Sequence, residues 1–278
     1  MYSTILLDKT GRIATITLNR PERLNAVNEA MRQDMIAAMD ELEEDDGIHV
    51  VILKGAGRAF CVGADVHDAG VVGSGSELHP GDTSEDWSRA QKAQRWLFKV
   101  WDLPKPVISQ IHGYCLGMGT MLMTVSDLVL AAEDAKFGNA RIFMGAGMIG
   151  PRYVWGLGLR RAKWLDFLPG WRVTGKEAEQ WGWINMALPA DKLNDEVQAL
   201  AEQLAMVPLT HLKFRKVSMN RVWEQWGFRH SVAAGIDFDP LAHKSNDGMQ
   251  MENRVGAEGF IKLGGDLYSR FPARHGHA

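Results

Sequence analysis

Three short, uninterrupted apolar runs constrain this chain most: "HVVILKG" from His49, "PVISQIHG" from Pro106 and "DLVLAAEDAKFG" from Asp127. A strand with one wet face alternates apolar and polar residues. A run apolar at nearly every position is buried on both faces, which marks parallel strands held between other layers. Helical spacing fills the intervals. In "NEAMRQDMIAAMDELEEDD", Met31, Met35, Ile36, Met39 and Leu42 recur on one face, with Asn28 as the N-cap and Asp46-Gly47 as the stop. The pattern predicts a further helix from Trp87 to Trp101, ended by "DLPKP". It predicts another in "GLRRAKWLDFL", and a short helix followed by a strand in "TGKEAEQWGWINMALP". "STILLDKTGRIATITLN" reads as a hairpin turning at Lys9-Thr10-Gly11. Residues 69–86, rich in Gly, Ser and Asp, read as a mobile surface loop, and "DLVLAAEDAKFG" as a strand and a turn. From Leu193 onward only helical periodicity remains. The chain is therefore expected to be α/β, with a core over 1–195 and a helical region over 196–278.

With 278 residues, 46% of them hydrophobic and 23% charged, the chain can bury a large core. A net charge of −3 lacks the basic excess of a nucleic-acid surface. No run of about 18 apolar residues marks a membrane span, and the N-terminus lacks the form of a signal peptide. The expectation is a cytoplasmic protein with no nucleic-acid or membrane partner. The two cysteines, Cys61 and Cys115, make neither a disulfide framework nor a zinc motif and read as small buried hydrophobes. The ten tryptophans are assigned to packing. Trp87, Trp96, Trp155 and Trp171 also hint at a bulky acyl ligand, once one is implied.

Two glycine loops follow buried strands. "GRAFCVGADV" comes after the strand 49–54 and "GYCLGMGTM" after the strand 106–111. Ligands of α/β proteins gather beyond the carboxyl ends of strands. Gly63 allows a backbone conformation that turns an amide outward. Gly117 and Gly119 flank Met118 at a helix start, where N–H groups lack intrahelical acceptors. Two such amides meeting at one oxygen make an oxyanion hole. Glycine turns after strands are common, so neither loop alone separates an active site from an ordinary connection.

In order and spacing, "GRAFCVGADV", "KPVISQIHGYCLGMG" and "SDLVLAAEDAKFG" resemble the crotonase family, the enoyl-CoA hydratase/isomerase superfamily. "ATITLNRPERLNAVN" and "GKEAEQWGWINMALPADKL" extend the resemblance over residues 3 to 262. It implies a right-handed spiral of ββα turns followed by C-terminal helices that trimerise, giving a homotrimer or hexamer. It implies an acyl-CoA substrate, with coenzyme A part of that substrate and neither a separate cofactor nor a metal. By the same resemblance the backbone amides of Ala64 and Met118 form the oxyanion hole. Arg23, Leu24 and Ala26 contact the nucleotide end of coenzyme A. Gly63, Asp65, Val66, Gly117 and Met121 line the substrate, and Lys262 lies on the helix that reaches a neighbouring subunit's coenzyme A.

One departure carries chemical weight. Hydratases of this family use two glutamates, and their positions here are Met121 and Arg141. Methionine has no titratable proton and arginine stays charged, so neither is a general base. The dehalogenase branch's aspartate falls at Ile149. What remains is an oxyanion hole, apolar walls and Arg141, which can pair with a substrate carboxylate. That favours hydrolase, decarboxylase, isomerase or carbon–carbon lyase chemistry. A non-catalytic acyl-CoA-binding paralogue, or a hydratase with a base relocated to His67 or to the loop 69–86, stays open. Among other polar residues, His112 is expected to be a satisfied core histidine, and Asp127 and Glu133 strand-end hydrogen-bonding groups. Arg152 faces either the acyl pocket or solvent.

Overall fold

The computed structural model describes residues 2–65, 82–92, 94–139, 150–168, 170, 172–251, 253–254, 259, 262–263 and 266. Its centre is a six-stranded sheet. β1 (Ile5–Thr10) and β2 (Ile13–Leu18) form the expected hairpin, but Thr10 pairs with Ile13, so the turn is Gly11-Arg12. Lys9 and Thr10 stay in the strand because the positive φ of 57° falls on Gly11. Beyond β2 every pairing in this sheet is parallel, running to β3 (Val50–Gly55), β4 (Val107–Ile111), β6 (Leu128–Ala132) and β9 (Met186–Leu188). The continuous apolar runs therefore form the middle of the sheet, buried on both faces.

A second sheet of three short strands went unread in the sequence: β5 (Tyr114–Leu116), β7 (Lys136–Gly138) and β8 (Val173–Thr174). Each has only two or three residues, too few to show a period. Their placement explains the topology. The chain lays β4 in the large sheet and then β5 in the small one, then β6 in the large and β7 in the small. This repeated passage from sheet to sheet is the spiral of a crotonase fold.

Helices cover the large sheet. α1 (Glu29–Glu44) begins at Asn28, whose side chain accepts the Met31 amide at 2.9 Å. Met31, Met35, Met39 and Leu42 enter the core, while Ile36 is only half-buried. At the other end, wholly buried Lys105 donates to the Leu42 carbonyl and, at 2.7 Å, to that of Asp45. This satisfies carbonyls that a helix end leaves open, with a cation where the dipole favours one. α2 (Thr83–Lys92) starts inside the segment expected to be loop, and α3 (Arg95–Asp102) continues the expected helix as a separate element. The first turn of α2 is held by Asp82, which accepts the Ser84 and Glu85 amides at 2.8 and 2.9 Å.

α4 (Met118–Thr124) follows β5, and α5 (Gly150–Phe167) is broken at Gly158. α6 (Gly175–Gln180) opens with a capping box between Thr174 and Glu177. α7 (Leu193–Ala205) packs across β2, β3, β4 and β6, so the expected division at 195/196 falls within a helix of the core. α8 (Leu209–Gln225), α9 (Phe228–Asp237) and α10 (Asp239–His243) complete the helical C-terminal region. There Trp101, Trp155 and Trp223 surround Phe228 at centroid distances of 4.5 to 5.5 Å. Trp96 is buried as well; these tryptophans pack the fold as expected, and Trp171 lies outside the described residues.

Asp127 holds a strand end, accepting the Val107 amide at 2.7 Å. Glu133 does so through its backbone, which donates to Leu188, while its carboxylate meets Lys176 at 3.2 Å on the surface. His112 is not a core residue. It is half-buried at the end of β4 and pairs with the Gly57 carbonyl at 2.9 Å.

Candidate active site

The carboxyl ends of β3 and β4 deliver the two glycine loops side by side. Backbone bonds join them: Phe60 N–H donates to His112, Cys61 N–H to Tyr114 and Leu116 N–H to Cys61, at 2.9 to 3.0 Å. Cys61 and Cys115 are bridge partners in this short parallel contact, and both are fully buried with free thiols. Burial pushes the Cys61 thiol up to about 12 and raises Cys115 as well, so neither is a thiolate nucleophile at neutral pH.

Beyond the bridge each loop turns at a glycine with positive φ, 112° at Gly63 and 53° at Gly117. The turns touch. A Cβ on Gly63 would stand 3.6 Å from the Met118 nitrogen, and one on Gly117 would stand 3.5 Å from the Gly63 Cα. The directions of the next two amides follow from where the glycine carbonyls go. Gly63 C=O accepts the Val27 amide at 2.8 Å, and in a trans peptide the Ala64 N–H points the opposite way. Gly117 C=O points into α4, accepting the Met121 amide at 3.2 Å, so the Met118 N–H points out of the helix start.

A third segment packs against these loops. Pro21–Arg23 forms one 3₁₀ turn, and Leu24 and Asn25 follow with φ of 50° and 56°. Buried Asn25 holds this unusual backbone. Its Oδ1 accepts the Arg20 amide at 2.9 Å and its Nδ2 donates to Ala56 and Ala59, both at 2.8 Å. Arg20 spans the gap, donating to Ala26 C=O and meeting the Asp65 carboxylate at 2.8 Å. Thus Arg23 is exposed, Leu24 half-buried and Ala26 buried, all on a turn fastened to the first glycine loop. The Asp65 carboxylate is engaged with Arg20.

Met121 is 6% exposed and belongs to the apolar core, with Met118 packed against that core half-buried. Arg152 does not face solvent. It is fully buried, donates to Gln94, and burial pulls its guanidinium down to about 10, opposed by Asp239. Asp166, which accepts Asn139 at 3.1 Å, is raised by burial. Lys262 is exposed in a helical stretch near the C-terminus. Val66, His67, Arg141 and Ile149 lie outside the described residues. Among the described residues no group of three His, Cys, Asp or Glu could hold a metal, and no helix is long and apolar enough to cross a membrane. Sequence reading missed Arg20, Asn25, Thr120 and Tyr153. Only Asn25 left a trace, since asparagine is one of the few residues that tolerates left-handed backbone.

A spiral of paired sheets presenting two glycine-turned amides beyond its strand ends defines a class of acyl-CoA enzymes. The chain belongs to the enoyl-CoA hydratase/isomerase family, whose model matches residues 8–254. It is 36% identical over 228 residues to the 1,2-epoxyphenylacetyl-CoA isomerase of Escherichia coli, covering 79% of this chain and 83% of that one. An enoyl-CoA hydratase/isomerase from Xanthobacter autotrophicus Py2 superposes with a TM-score of 0.86 at 30% identity, over 98% of this chain and 100% of the other. An enoyl-CoA hydratase from Mycobacterium smegmatis superposes with a TM-score of 0.83 at 29% identity, over 94% and 91%.

Proposed function

We propose that the protein binds an acyl-CoA and stabilises the enolate or oxyanion of its thioester between the backbone amides of Ala64 and Met118. The observation that supports this reading is the contact of the Gly63 and Gly117 turns, each of which immediately precedes one of those amides. The turn carrying Arg23, Leu24 and Ala26, anchored to the same loops by Asn25 and Arg20, supports its assignment to coenzyme A.

The reaction is not two-carboxylate hydration. Met121, at the first hydratase position, has no titratable proton and Arg141, at the second, stays protonated, so neither serves as a general base. Isomerisation, decarboxylation, hydrolysis or carbon–carbon cleavage fits a site in which backbone donors supply most of the stabilisation. Of these, isomerisation is favoured by the similarity to an acyl-CoA isomerase. Arg141 is assigned to a carboxylate or other anionic group on the substrate. Calorimetric titration with a panel of CoA thioesters, followed by product analysis, is the test. Saturable binding with turnover of a non-hydration type is expected. Absence of CoA binding overturns the reading, and binding without turnover across the panel marks a non-catalytic paralogue.

The same reading makes the protein a homotrimer or hexamer. α8 leaves Phe214, Met219 and Val222 exposed, and exposed Trp226 follows at its end; large exposed apolar side chains of this kind support a partner subunit. Sedimentation showing only a monomer would sink this part.

A further inference from the structure

The amide assigned above to the oxyanion is hydrogen-bonded from behind. Gly117 C=O and Met118 N–H are the two ends of one planar peptide group. Besides the Met121 amide, that carbonyl accepts the Thr120 hydroxyl at 2.7 Å. Thr120 is wholly buried, and its Oγ1 lies 3.0 Å from the Tyr153 hydroxyl, on a side chain 1% exposed. The direction of the chain follows from counting protons. A threonine hydroxyl has one, and it is used on Gly117, so Tyr153 donates and Thr120 accepts. Burial pushes the Tyr153 phenol well up, which keeps that proton in place.

We infer that Thr120 and Tyr153 are positioning residues that orient and polarise the Gly117–Met118 peptide, making its N–H a stronger donor to the thioester oxygen. This rests on the oxyanion-hole reading of the preceding subsection. Two physical effects support it. Hydrogen bonds in series reinforce one another, by about 10–30% per bond, and drawing charge toward the carbonyl oxygen leaves the N–H more positive. The peptide also sits at a glycine with φ 53° and ψ −116°, outside any regular element. The short Thr120 bond therefore limits its rotation where the 3.2 Å bond from Met121 does so weakly. Because Tyr153 belongs to α5 and Thr120 to α4, the chain also ties the donor's orientation to a separate helix.

A hydrogen bond that merely joined two helices would affect stability and leave the bound thioester's electronic state alone. The experiment therefore reads that state. Cinnamoyl-CoA is bound to the purified protein and the red shift of its ultraviolet absorption is recorded for the parent, Tyr153→Phe, Thr120→Val and Thr120→Ser. The parent is expected to shift the band. Thr120→Val should lose most of the shift, Tyr153→Phe part of it, and Thr120→Ser should regain it. On any thioester turned over, kcat should fall about tenfold in Thr120→Val and about threefold in Tyr153→Phe, with KM little changed. Variants that bind the thioester with the parent's full shift overturn the inference. A parent protein that binds without any shift, or does not bind, instead overturns the oxyanion reading beneath it. Tyr153→Phe keeps the ring and its packing, so it decides the matter even if Thr120→Val fails to fold.

Discussion

Lys216 Nζ lies 2.7 Å from Asp127 Oδ2, the same oxygen that accepts the Val107 amide. The pair fastens α8 to the carboxylate between α4 and β6, far from either residue in sequence. Burial lowers the Lys216 ammonium and raises the Asp127 carboxyl, and each charge opposes that effect on the other. Lys216→Met leaves the half-buried Asp127 carboxylate without its cation and should destabilise by up to about 3–5 kcal/mol, the cost of breaking a buried pair. Adding Asp127→Asn keeps an acceptor for Val107 and should recover most of the loss. Urea unfolding of the two variants checks both; equal losses would show that the pair is not coupled.

Gly63→Ala should abolish function while leaving most of the fold. Its φ of 112° is strained for any side chain, at about 1–3 kcal/mol, and the new Cβ would stand 3.3 Å from the Leu116 carbonyl oxygen. The same Cβ sits 3.6 Å from the Met118 nitrogen, on the contact between the two turns. Steady-state kinetics and a melting curve separate the effects. Full activity in this variant would remove the Gly63 turn from the site.

Asn25→Ala should destabilise by about 2–4 kcal/mol, since it leaves the buried Ala59 carbonyl, the half-buried Ala56 carbonyl and the Arg20 amide without their partner. Affinity for CoA thioesters should fall with it, because the turn carrying Arg23, Leu24 and Ala26 loses its anchor. Asn25→Asp should not rescue, as a carboxylate cannot donate to the two carbonyls. Isothermal titration alongside denaturation tests the coupling of the two losses.

Asp34 gives a pH-dependent case. Partial burial alone would raise its carboxyl, but hydrogen bonds from the amides and hydroxyls of Thr4 and Ser3 outweigh it and hold it below the ordinary aspartate range. A carboxyl lowered by folding contributes stability above its unfolded pKa and loses it as pH falls through the folded one. Asp34→Ala should therefore lose about 1–3 kcal/mol at pH 7, with the gap to the parent closing below about pH 3.8. A gap that stays constant into acid would rule out the carboxylate as its source.

β3, β4 and β6 were legible because burial on both faces writes an unbroken apolar run, and α1 because its cap and its stripe agree. β5, β7 and β8 were not, being too short to carry a period. The start of α2 was hidden because Asp82 and Thr83 suit a loop as well as a helix cap. Both glycine loops could be read, but the roles proposed for Ala64 and Met118 rest on resemblance, since a backbone donor leaves no side-chain signature. The partners of buried polar groups stayed invisible for a different reason. Lys105 finds Leu42, Asn25 finds Ala59 and Thr120 finds Tyr153 across spans of 63, 34 and 33 positions, and only the folded chain brings them together.

The paired bridge at Cys61 and Cys115 has a wider consequence. It sets the spacing of the two turns through main-chain atoms, which every amino acid shares. Side chains around the turns, such as Met118 and Met121, can therefore differ without moving the main chain that holds the turns together. The contact between the Gly63 and Gly117 turns is thus a property of the backbone and not of any one side chain.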